Sequence, residues 1–369
     1  MDTVAAGVQP LTVSALVVRA VDAPMERPIQ TASGEIPTAP LVLVDLHTRE
    51  GLTGSAYAFC YTRAVLRPVR DVLVALEDAL VGRPAVPLEL HEALRARFRL
   101  LGSAGLLGLA LNAIDVAAWD ALARAAELPL AALLGGAAGA RVTAYGSLKS
   151  MRAADAAREA EEVLAATGVR ELKVKVGAGT IGDDLAVLAA IRRVGGDGVR
   201  LMVDYNQSLT VPEALARLER LDAEGLAWVE EPVHADDAAG SAAVARAART
   251  PIQAGESWWS PAEAARHIAA GSSDHAMLDV GRIGGVTGWS RAAALAHAAG
   301  LPISSHIYAE VSAHLLAATP GAHRLEFLPN AAPVMREPVA VRDGAVTVPS
   351  EPGNGVAWDE AVVERHLVA

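Results

Sequence analysis

Three acidic residues, each at the end of a strand-like run, constrain the fold of this 369-residue chain more than any other feature. Asp204 follows RLMV, Glu230 follows LAWV and Glu256 follows IQAG, and successive members are 26 residues apart. A strand, a loop and one helix of a parallel β/α repeat take about that much chain. Carboxylates at three successive strand ends converge at the top of a barrel, where a divalent cation with oxygen preference would neutralise their repulsion. The spacing therefore predicts a metal-dependent barrel enzyme.

The chain alternates between two kinds of segment from about residue 141 onward. Strand-like runs alternate with alanine-rich amphipathic stretches, which predicts a closed parallel barrel of eight strands with seven helices between them. The predicted strands are VTAYGS, ELKVKV, RLMVDYN, LAWVEE, PIQAGE, HAMLDV, PISSH and HRLEF.

The residues before the barrel have a different organisation. Runs 11–21, 41–48 and 51–59 are strand-like, and helical patterns follow them, which indicates an α+β domain. Residues 24–40 between the first two runs are rich in Pro, Gly, Ser and Thr, so we expect a mobile loop long enough to be a lid.

The predicted fold class is α/β: a (β/α)7β modified TIM barrel with an N-terminal α+β capping domain. Three segments follow from the pattern. Residues 1–135 form the capping or lid domain and residues 136–330 form the catalytic barrel. Residues 331–369 form a C-terminal segment that packs back on the capping domain.

Charge and cysteine content exclude some partners and locations. The net charge of −11 argues against nucleic-acid and anionic-membrane partners. The single cysteine, Cys60, excludes an internal disulfide and suits a reducing compartment. The N-terminal residues lack the pattern of a signal peptide, so we expect a cytoplasmic protein.

The other predicted strands also end in polar residues, and their order around the ring gives each a place. Strand 8 lies opposite strand 4, so Glu326 should face the metal across the pocket. Lys175 on strand 2 and His306 on strand 7 should flank a bound substrate, and Asp279 on strand 6 can orient His306. The remaining strand-end candidates are Ser147, Lys173 and Asn206.

This set suits removal of a proton next to a carboxylate. The resulting enediolate would be stabilised by a divalent metal on one side and an acidic hydrogen-bond donor on the other. The charge of Lys173 favours the neutral amine form of Lys175, as a general base requires. Two bases on opposite faces permit racemisation. Each residue alone is more often structural or solvent-exposed, and only their order around one ring indicates a site.

Several motifs resemble one family. The segments KVKVG, VDYNQSL, WVEEP, AGES, LDVGRIGGVTGW, SSH and RLEF, together with TAPLVLVDL and EVSAHLLAATP, are similar to the mandelate racemase subgroup of the enolase superfamily. The resemblance covers nearly the whole chain. It implies one Mg²⁺ per subunit, with Mn²⁺ as a possible substitute, and a homo-oligomer, often an octamer.

The resemblance also implies roles for individual residues. Asp204, Glu230 and Glu256 correspond to the Mg²⁺ ligands. Lys175 corresponds to the base for the S enantiomer, and the Asp279–His306 dyad to the base for the R enantiomer. Lys173 corresponds to a partner of Lys175 that contacts the substrate carboxylate, and Glu326 corresponds to a general acid. Asn206 and Ser147 correspond to polar substrate contacts. An aryl pocket is implied at five positions: Phe59, Tyr61, Ile36, Ile307 and Leu328.

Two positions depart from the pattern of the subgroup. Arg282 stands where a Lys is usual, which keeps a cation. Leu148 stands where a His is usual, which removes a polar group near the substrate. These departures bear on which substrate is accepted.

The expected activity is Mg²⁺-dependent racemisation of mandelate or a similar 2-hydroxy acid, with a small-molecule carboxylate as the partner. An acid-sugar dehydratase on the same scaffold is the main alternative, because it abstracts the same kind of proton. The apolar Phe59, Tyr61 and Ile36 argue for an apolar side group instead. A non-catalytic metal-binding protein is a remote alternative, because both bases and the general acid are retained.

Overall fold

The N-terminal part of the molecule is an antiparallel sheet covered by helices. The structure, a computed structural model, describes residues 10–368 of the chain. The strands pair in the order β1-β2-β3. They are β1 (Val13–Thr31), β2 (Gly34–Thr48) and β3 (Thr53–Phe59), and the helices that follow are α1 (Arg63–Leu80), α2 (Pro87–Arg97), α3 (Gly105–Ala125) and α4 (Leu130–Leu133).

The helix α3 packs closely on β3. A Cβ atom at Gly54 would lie 1.9 Å from the carbonyl oxygen of Ala117, so only glycine permits this approach. By length and composition α3 is apolar enough to cross a membrane, but 78% of its most apolar window is buried inside the protein. Its apolar surface is therefore used in the protein core.

The second part is a parallel barrel in which one helix follows each of the first seven strands. The barrel closes where β11 pairs with β4, and this confirms the predicted fold class. The strands are β4 (Arg141–Ser147), β5 (Glu171–Lys175), β6 (Arg200–Asp204), β7 (Val229–Glu230), β8 (Ile252–Ala254), β9 (His275–Leu278), β10 (Ile303–Ser305) and β11 (Leu325–Phe327). The helices are α5 (Ala153–Thr167), α6 (Ile181–Gly195), α7 (Val211–Leu221), α8 (Ala238–Ala247), α9 (Pro261–Ala270), α10 (Gly285–Ala298) and α11 (Ala309–Ala317).

The expectation of a loop over residues 24–40 is wrong, because this segment is a hairpin arm. The strand β1 continues to Thr31 and pairs with β2, with a register shift between Pro24 and Ile29. Prolines lack an N–H and concentrate at such irregularities, which made the segment look like a loop in the sequence. The arm is held against the barrel, since Gln30 N–H donates to the carbonyl oxygen of Lys149 at 2.8 Å.

The C-terminal segment contacts both parts. Its strands β12 (Val341–Arg342) and β13 (Ala345–Thr347) extend the barrel sheet, with β13 antiparallel to β4. A short 3₁₀ helix (Ala332–Val334) precedes them, and helix α12 (Glu360–Arg365) follows. Trp358 Nε1 then donates to Asp45 Oδ1 at 2.8 Å, and Val368 N–H donates to the carbonyl oxygen of Ala20 at 2.9 Å.

Candidate active site

Three carboxylates converge at the carboxyl ends of neighbouring barrel strands. The side chains of Asp204, Glu230 and Glu256 are buried, and their nearest ligand oxygens all lie within 4.8 Å of one another. Asp204 is directly beside Glu230 in the pairing of β6 with β7. Because β8 is the next strand, Glu256 just beyond it reaches the same point. The convergence predicted from the even spacing is confirmed.

The ammonium group of Lys173 lies among the carboxylates. Its Nζ is 2.8 Å from Glu326 Oε1 and 3.6 Å from Asp204 Oδ2, and it also contacts the Glu230 carboxylate. Burial alone would lower the pKa of Lys173, but Glu230 and Glu326 outweigh burial and raise that pKa. Lys173 is therefore a cation shared by three carboxylates.

Two basic side chains lie at opposite ends of the carboxylate triad. Lys175 Nζ is 3.6 Å from Asp204 Oδ2, while His306 Nε2 is 3.4 Å from Glu256 Oε2. His306 Nδ1 is 2.6 Å from Asp279 Oδ2, so the predicted hydrogen bond of the dyad is present. This bond keeps the proton on Nδ1 and leaves Nε2 facing the triad.

Burial and charge act in opposite directions on the dyad and on Glu326. Burial alone would lower the pKa of His306, but the charge of Glu256 and the hydrogen bond with Asp279 raise it to about 9. Burial alone would raise the pKa of Glu326, but the charges of Lys173 and His306 lower it to about 2. Both shifts favour the charged form of the side chain, an imidazolium at His306 and a carboxylate at Glu326.

A cavity of about 200 Å³ opens beside these groups. Ten of the predicted site residues line it: Ile36, Phe59, Tyr61, Lys175, Asp204, Asn206, Glu256, His306, Ile307 and Leu328. Five others are not part of its wall: Ser147, Lys173, Glu230, Asp279 and Glu326. Of these five, Glu230 and Asp279 belong to the triad and the dyad, and Lys173 and Glu326 contact them directly. Ser147 ends β4 next to Lys173 in the β4–β5 pairing, and its hydroxyl has no hydrogen-bond partner within residues 10–368.

Sequence reasoning missed several residues of the cavity wall. These are Ile29, Thr31, Gln207, Glu231, Arg282 and Asn330. Gln207 and Glu231 directly follow predicted site residues, so strand-end position could have indicated them. Asn330 lies beyond the end of β11 and carries no motif.

Tyr308 joins the capping sheet to the loop that carries His306. Its hydroxyl accepts the Phe59 N–H at 3.0 Å, and its ring stacks on Tyr57 with centroids 4.7 Å apart. Tyr57 in turn donates to the buried Glu310 at 2.9 Å. Since β3 is the edge strand of its sheet, the hydroxyl supplies an acceptor that no further strand provides. The contact fixes Phe59, a cavity residue, relative to the catalytic end of the barrel.

Five non-glycine residues that line the cavity, and Tyr308 next to one of them, have left-handed backbone conformations. Such conformations are uncommon, and for a β-branched residue such as Ile307 they are exceptional. They persist where the surrounding structure fixes them, and they concentrate at functional sites. The residues and φ angles are Tyr61 at 58°, Asn206 at 44°, Gln207 at 64°, Glu231 at 35°, Ile307 at 34° and Tyr308 at 49°.

Family profiles match both parts of the chain. Residues 14–135 match the N-terminal domain of the mandelate racemase / muconate lactonizing enzyme family, and residues 155–362 match the enolase C-terminal domain-like family. The chain belongs to the enolase superfamily. Within the superfamily, its structural neighbours support the mandelate racemase subgroup.

Proteins similar to this chain are named for several different activities. A solved enolase from Bradyrhizobium, complexed with magnesium and mandelic acid, is 42% identical with a TM-score of 0.94, covering 98% of this chain and 99% of that one. The solved L-talarate dehydratase from Polaromonas sp. JS666, complexed with Mg and L-glucarate, is 28% identical with a TM-score of 0.88, covering 97% and 98%. A 3,6-anhydro-α-L-galactonate cycloisomerase from Streptomyces coelicolor is 32% identical over 324 residues, 86% of this chain and 89% of the relative. Membership of the enolase superfamily supports Mg²⁺-dependent proton abstraction as the chemistry of this protein.

The charges around the cavity of this enolase-superfamily member fit a divalent cation. Lys173 and Arg282 are cations, and Lys175 and His306 add two more positive charges when they are protonated. Burial, followed by the charges of Glu256 and Asp204, raises the pKa of Glu231 to about 8, as expected where negative charge is in excess. Within residues 10–368, the buried carboxylates that surround these cations are Asp204, Glu230, Glu231, Glu256, Asp279 and Glu326. Six carboxylates against at most four cations leave negative charge in excess, and carboxylate oxygens are ligands that Mg²⁺ prefers.

Proposed function

We propose that the protein is a Mg²⁺-dependent racemase of mandelate or a similar 2-hydroxy acid. The observation that carries the proposal is the pair of bases at the two ends of the triad, Lys175 beside Asp204 and His306 beside Glu256. The apolar part of the cavity wall and the mandelic acid bound by the Bradyrhizobium enolase support an aromatic side group.

Each base serves one face of the substrate in this proposal. Asp204, Glu230 and Glu256 would hold Mg²⁺, which would supply positive charge that favours loss of the α-proton. Lys175 removes the proton from the S enantiomer, and the cationic His306 returns a proton to the opposite face. In the reverse direction neutral His306, oriented by its bond to Asp279, removes the proton from the R enantiomer.

Glu326 and Lys173 act at the carboxylate end of the substrate. The two side chains form an ion pair with a separation of 2.8 Å, which keeps Glu326 ionised. A general acid must carry a proton, so this role requires that the substrate carboxylate take over the charge of Lys173. We therefore propose that Glu326 gains its proton only when substrate binds.

Proton exchange in D₂O tests the two-base proposal. In His306→Asn racemisation should be lost, while Lys175 still exchanges the α-proton of S-mandelate without inversion. In Lys175→Arg exchange should survive only from R-mandelate, because a guanidinium stays protonated. Asp279→Asn should resemble His306→Asn, since the imidazole loses its orienting carboxylate.

NMR of each enantiomer, with Mg²⁺ binding measured in parallel, reads out these exchanges. Loss of exchange from both enantiomers in His306→Asn, with metal and substrate still bound, would show that one base does all the chemistry.

An acid-sugar dehydratase is the second candidate, because the relatives include a dehydratase that binds L-glucarate. Such an enzyme abstracts the same proton and then expels a β-hydroxyl. A screen of acid sugars for keto-acid product distinguishes it from a screen of 2-hydroxy acids by polarimetry. Keto-acid formation without any racemisation would favour the dehydratase.

A further inference from the structure

One polar side chain in the cavity wall has no evident structural task. Asn330 lies in the loop between β11 and the 3₁₀ helix, is 6% exposed, and lines the cavity beside Leu328. Its amide oxygen is buried and has no hydrogen-bond partner within residues 10–368. A buried amide left unpaired is costly, so a group that binds in the cavity is the natural partner.

The other uncharged polar groups of the wall are already occupied or lie at the catalytic end. The Thr31 hydroxyl donates to the carbonyl oxygen of Gly34 at 2.9 Å. The Gln207 amide donates to Glu231 at 2.8 Å and accepts the Ala235 N–H at 2.9 Å. These side chains are therefore fixed by protein groups.

Two further unpaired polar atoms belong to the catalytic end. The Asn206 amide nitrogen donates to Asp204 Oδ2 at 3.0 Å, so its free oxygen lies beside the triad. The Tyr61 hydroxyl is also unpaired, but its ring lies 4.6 Å from the Arg282 guanidinium, near the charges of Asp279 and Glu256.

Asn330 lines the cavity from beyond the end of a barrel strand. It is four residues beyond Glu326 along the chain, past the end of β11, whereas the reacting groups lie at the strand ends. A substrate carboxylate held at the strand ends would direct its side group away from the barrel, and Leu328, Ile36 of the hairpin arm and Asn330 are residues beyond the barrel strands that line the same cavity. The amide thus adds one polar group to the apolar end of the wall.

We propose that Asn330 determines specificity by binding a hydroxyl group on the far edge of the substrate's aromatic ring. A hydroxyl can donate to the amide oxygen or accept from the amide nitrogen, so it matches an asparagine in either orientation. A phenol fits this wall better than a polyol, because the aliphatic side chains of Ile36, Ile307 and Leu328 would leave further hydroxyls unpaired. The inference rests on the proposed function and narrows its substrate class to ring-hydroxylated aromatic 2-hydroxy acids.

Binding to the Mg²⁺-loaded full chain tests the assignment. Dissociation constants are measured by calorimetry for mandelate, 3-hydroxymandelate and 4-hydroxymandelate. At least one hydroxylated acid should bind about tenfold more tightly than mandelate, since a site built to hydrogen-bond a hydroxyl rejects the analogue that lacks it. In Asn330→Leu this preference should disappear or reverse, while mandelate binds equally well or better.

Two further variants make the test specific. Thr31→Val removes a hydroxyl from the same wall that is already paired within the hairpin, so the ratio of the dissociation constants should not change. Asn330→Ser keeps a smaller polar group and replaces Asn330→Leu if the leucine variant does not fold, as judged by circular dichroism and Mg²⁺ affinity. A serine hydroxyl is too short to span the same distance, so the preference should fall here also.

The outcomes separate this inference from the proposed reaction. Asn330-dependent preference for hydroxylated acids without racemisation would retain the binding role and refute the reaction. Racemisation of all three acids with dissociation constants within twofold of one another would refute the binding role alone. An equal loss of affinity for all three acids in Asn330→Leu would also overturn it, because the amide would then support the cavity wall generally.

Discussion

Removing the Tyr308 hydroxyl isolates the contact between the capping sheet and the barrel. Phenylalanine keeps the ring that stacks on Tyr57 at 4.7 Å, so Tyr308→Phe deletes only the acceptor of the Phe59 N–H. Phe59 is 1% exposed, and leaving a buried donor unpaired costs about 1–3 kcal/mol. Because Phe59 also lines the cavity, we expect the KM for mandelate to rise about 3- to 10-fold, with a smaller change in kcat.

The assay combines urea unfolding, followed by circular dichroism and by tryptophan fluorescence, with mandelate kinetics. Tyr57→Phe is the matched control, because it removes the hydrogen bond to Glu310 at the same interface but lies outside the cavity wall. This control should lower stability while leaving KM within about twofold. The reasoning is refuted if Tyr308→Phe changes the free energy of unfolding by less than about 0.5 kcal/mol, or if both variants raise KM equally.

Three further perturbations follow from the structure. Chelation of Mg²⁺ should abolish activity, and Mg²⁺ or Mn²⁺ should restore it; full activity in metal-free protein would contradict the metal dependence. Glu230→Gln should weaken metal binding measured by calorimetry. Phe59→Ala should raise KM for aryl acids more than for small acids, by about 1–3 kcal/mol of lost apolar contact, and equal changes would argue against an aryl pocket. Burial lowers the pKa of His314 from 6.5 to about 4. The neutral imidazole therefore contributes about 3 kcal/mol to the free energy of unfolding; this contribution is complete above pH 6.5 and is lost as the pH falls toward 4. His314→Asn keeps an acceptor for the Ala131 N–H but does not titrate, so urea midpoints of this variant should fall less steeply over that range; parallel profiles would refute the assignment.

The sequence predicts the barrel and its strand-end residues because both follow from short-range periodicity. A strand places alternate residues on one face, and even spacing brings Asp204, Glu230 and Glu256 to neighbouring strand ends. The Asp279–His306 hydrogen bond could be predicted for the same reason, since these residues follow β9 and β10, the sixth and seventh strands of the barrel, which are adjacent. Chain order around a closed ring is enough to assign such neighbours.

Features that depend on side-chain geometry could not be predicted in this way. The sharing of Lys173 among Glu230, Glu326 and Asp204 depends on side-chain conformations, which spacing does not determine. The sequence of the hairpin arm at 24–40 does not distinguish a strand from a loop, because prolines are typical of both irregular strands and loops. Asn330 carries no motif, and its unpaired amide becomes evident only when its surroundings are known.

The left-handed residues around the cavity make the two faces of the barrel thermodynamically unequal. A non-glycine residue in such a conformation costs about 1–3 kcal/mol, and five of them line the cavity. This strain is offset by packing elsewhere in the fold, so the catalytic face should open locally before the opposite face does. Hydrogen exchange should then be fastest at the strand-end turns near Asn206 and Ile307, and a bound substrate should slow it there most.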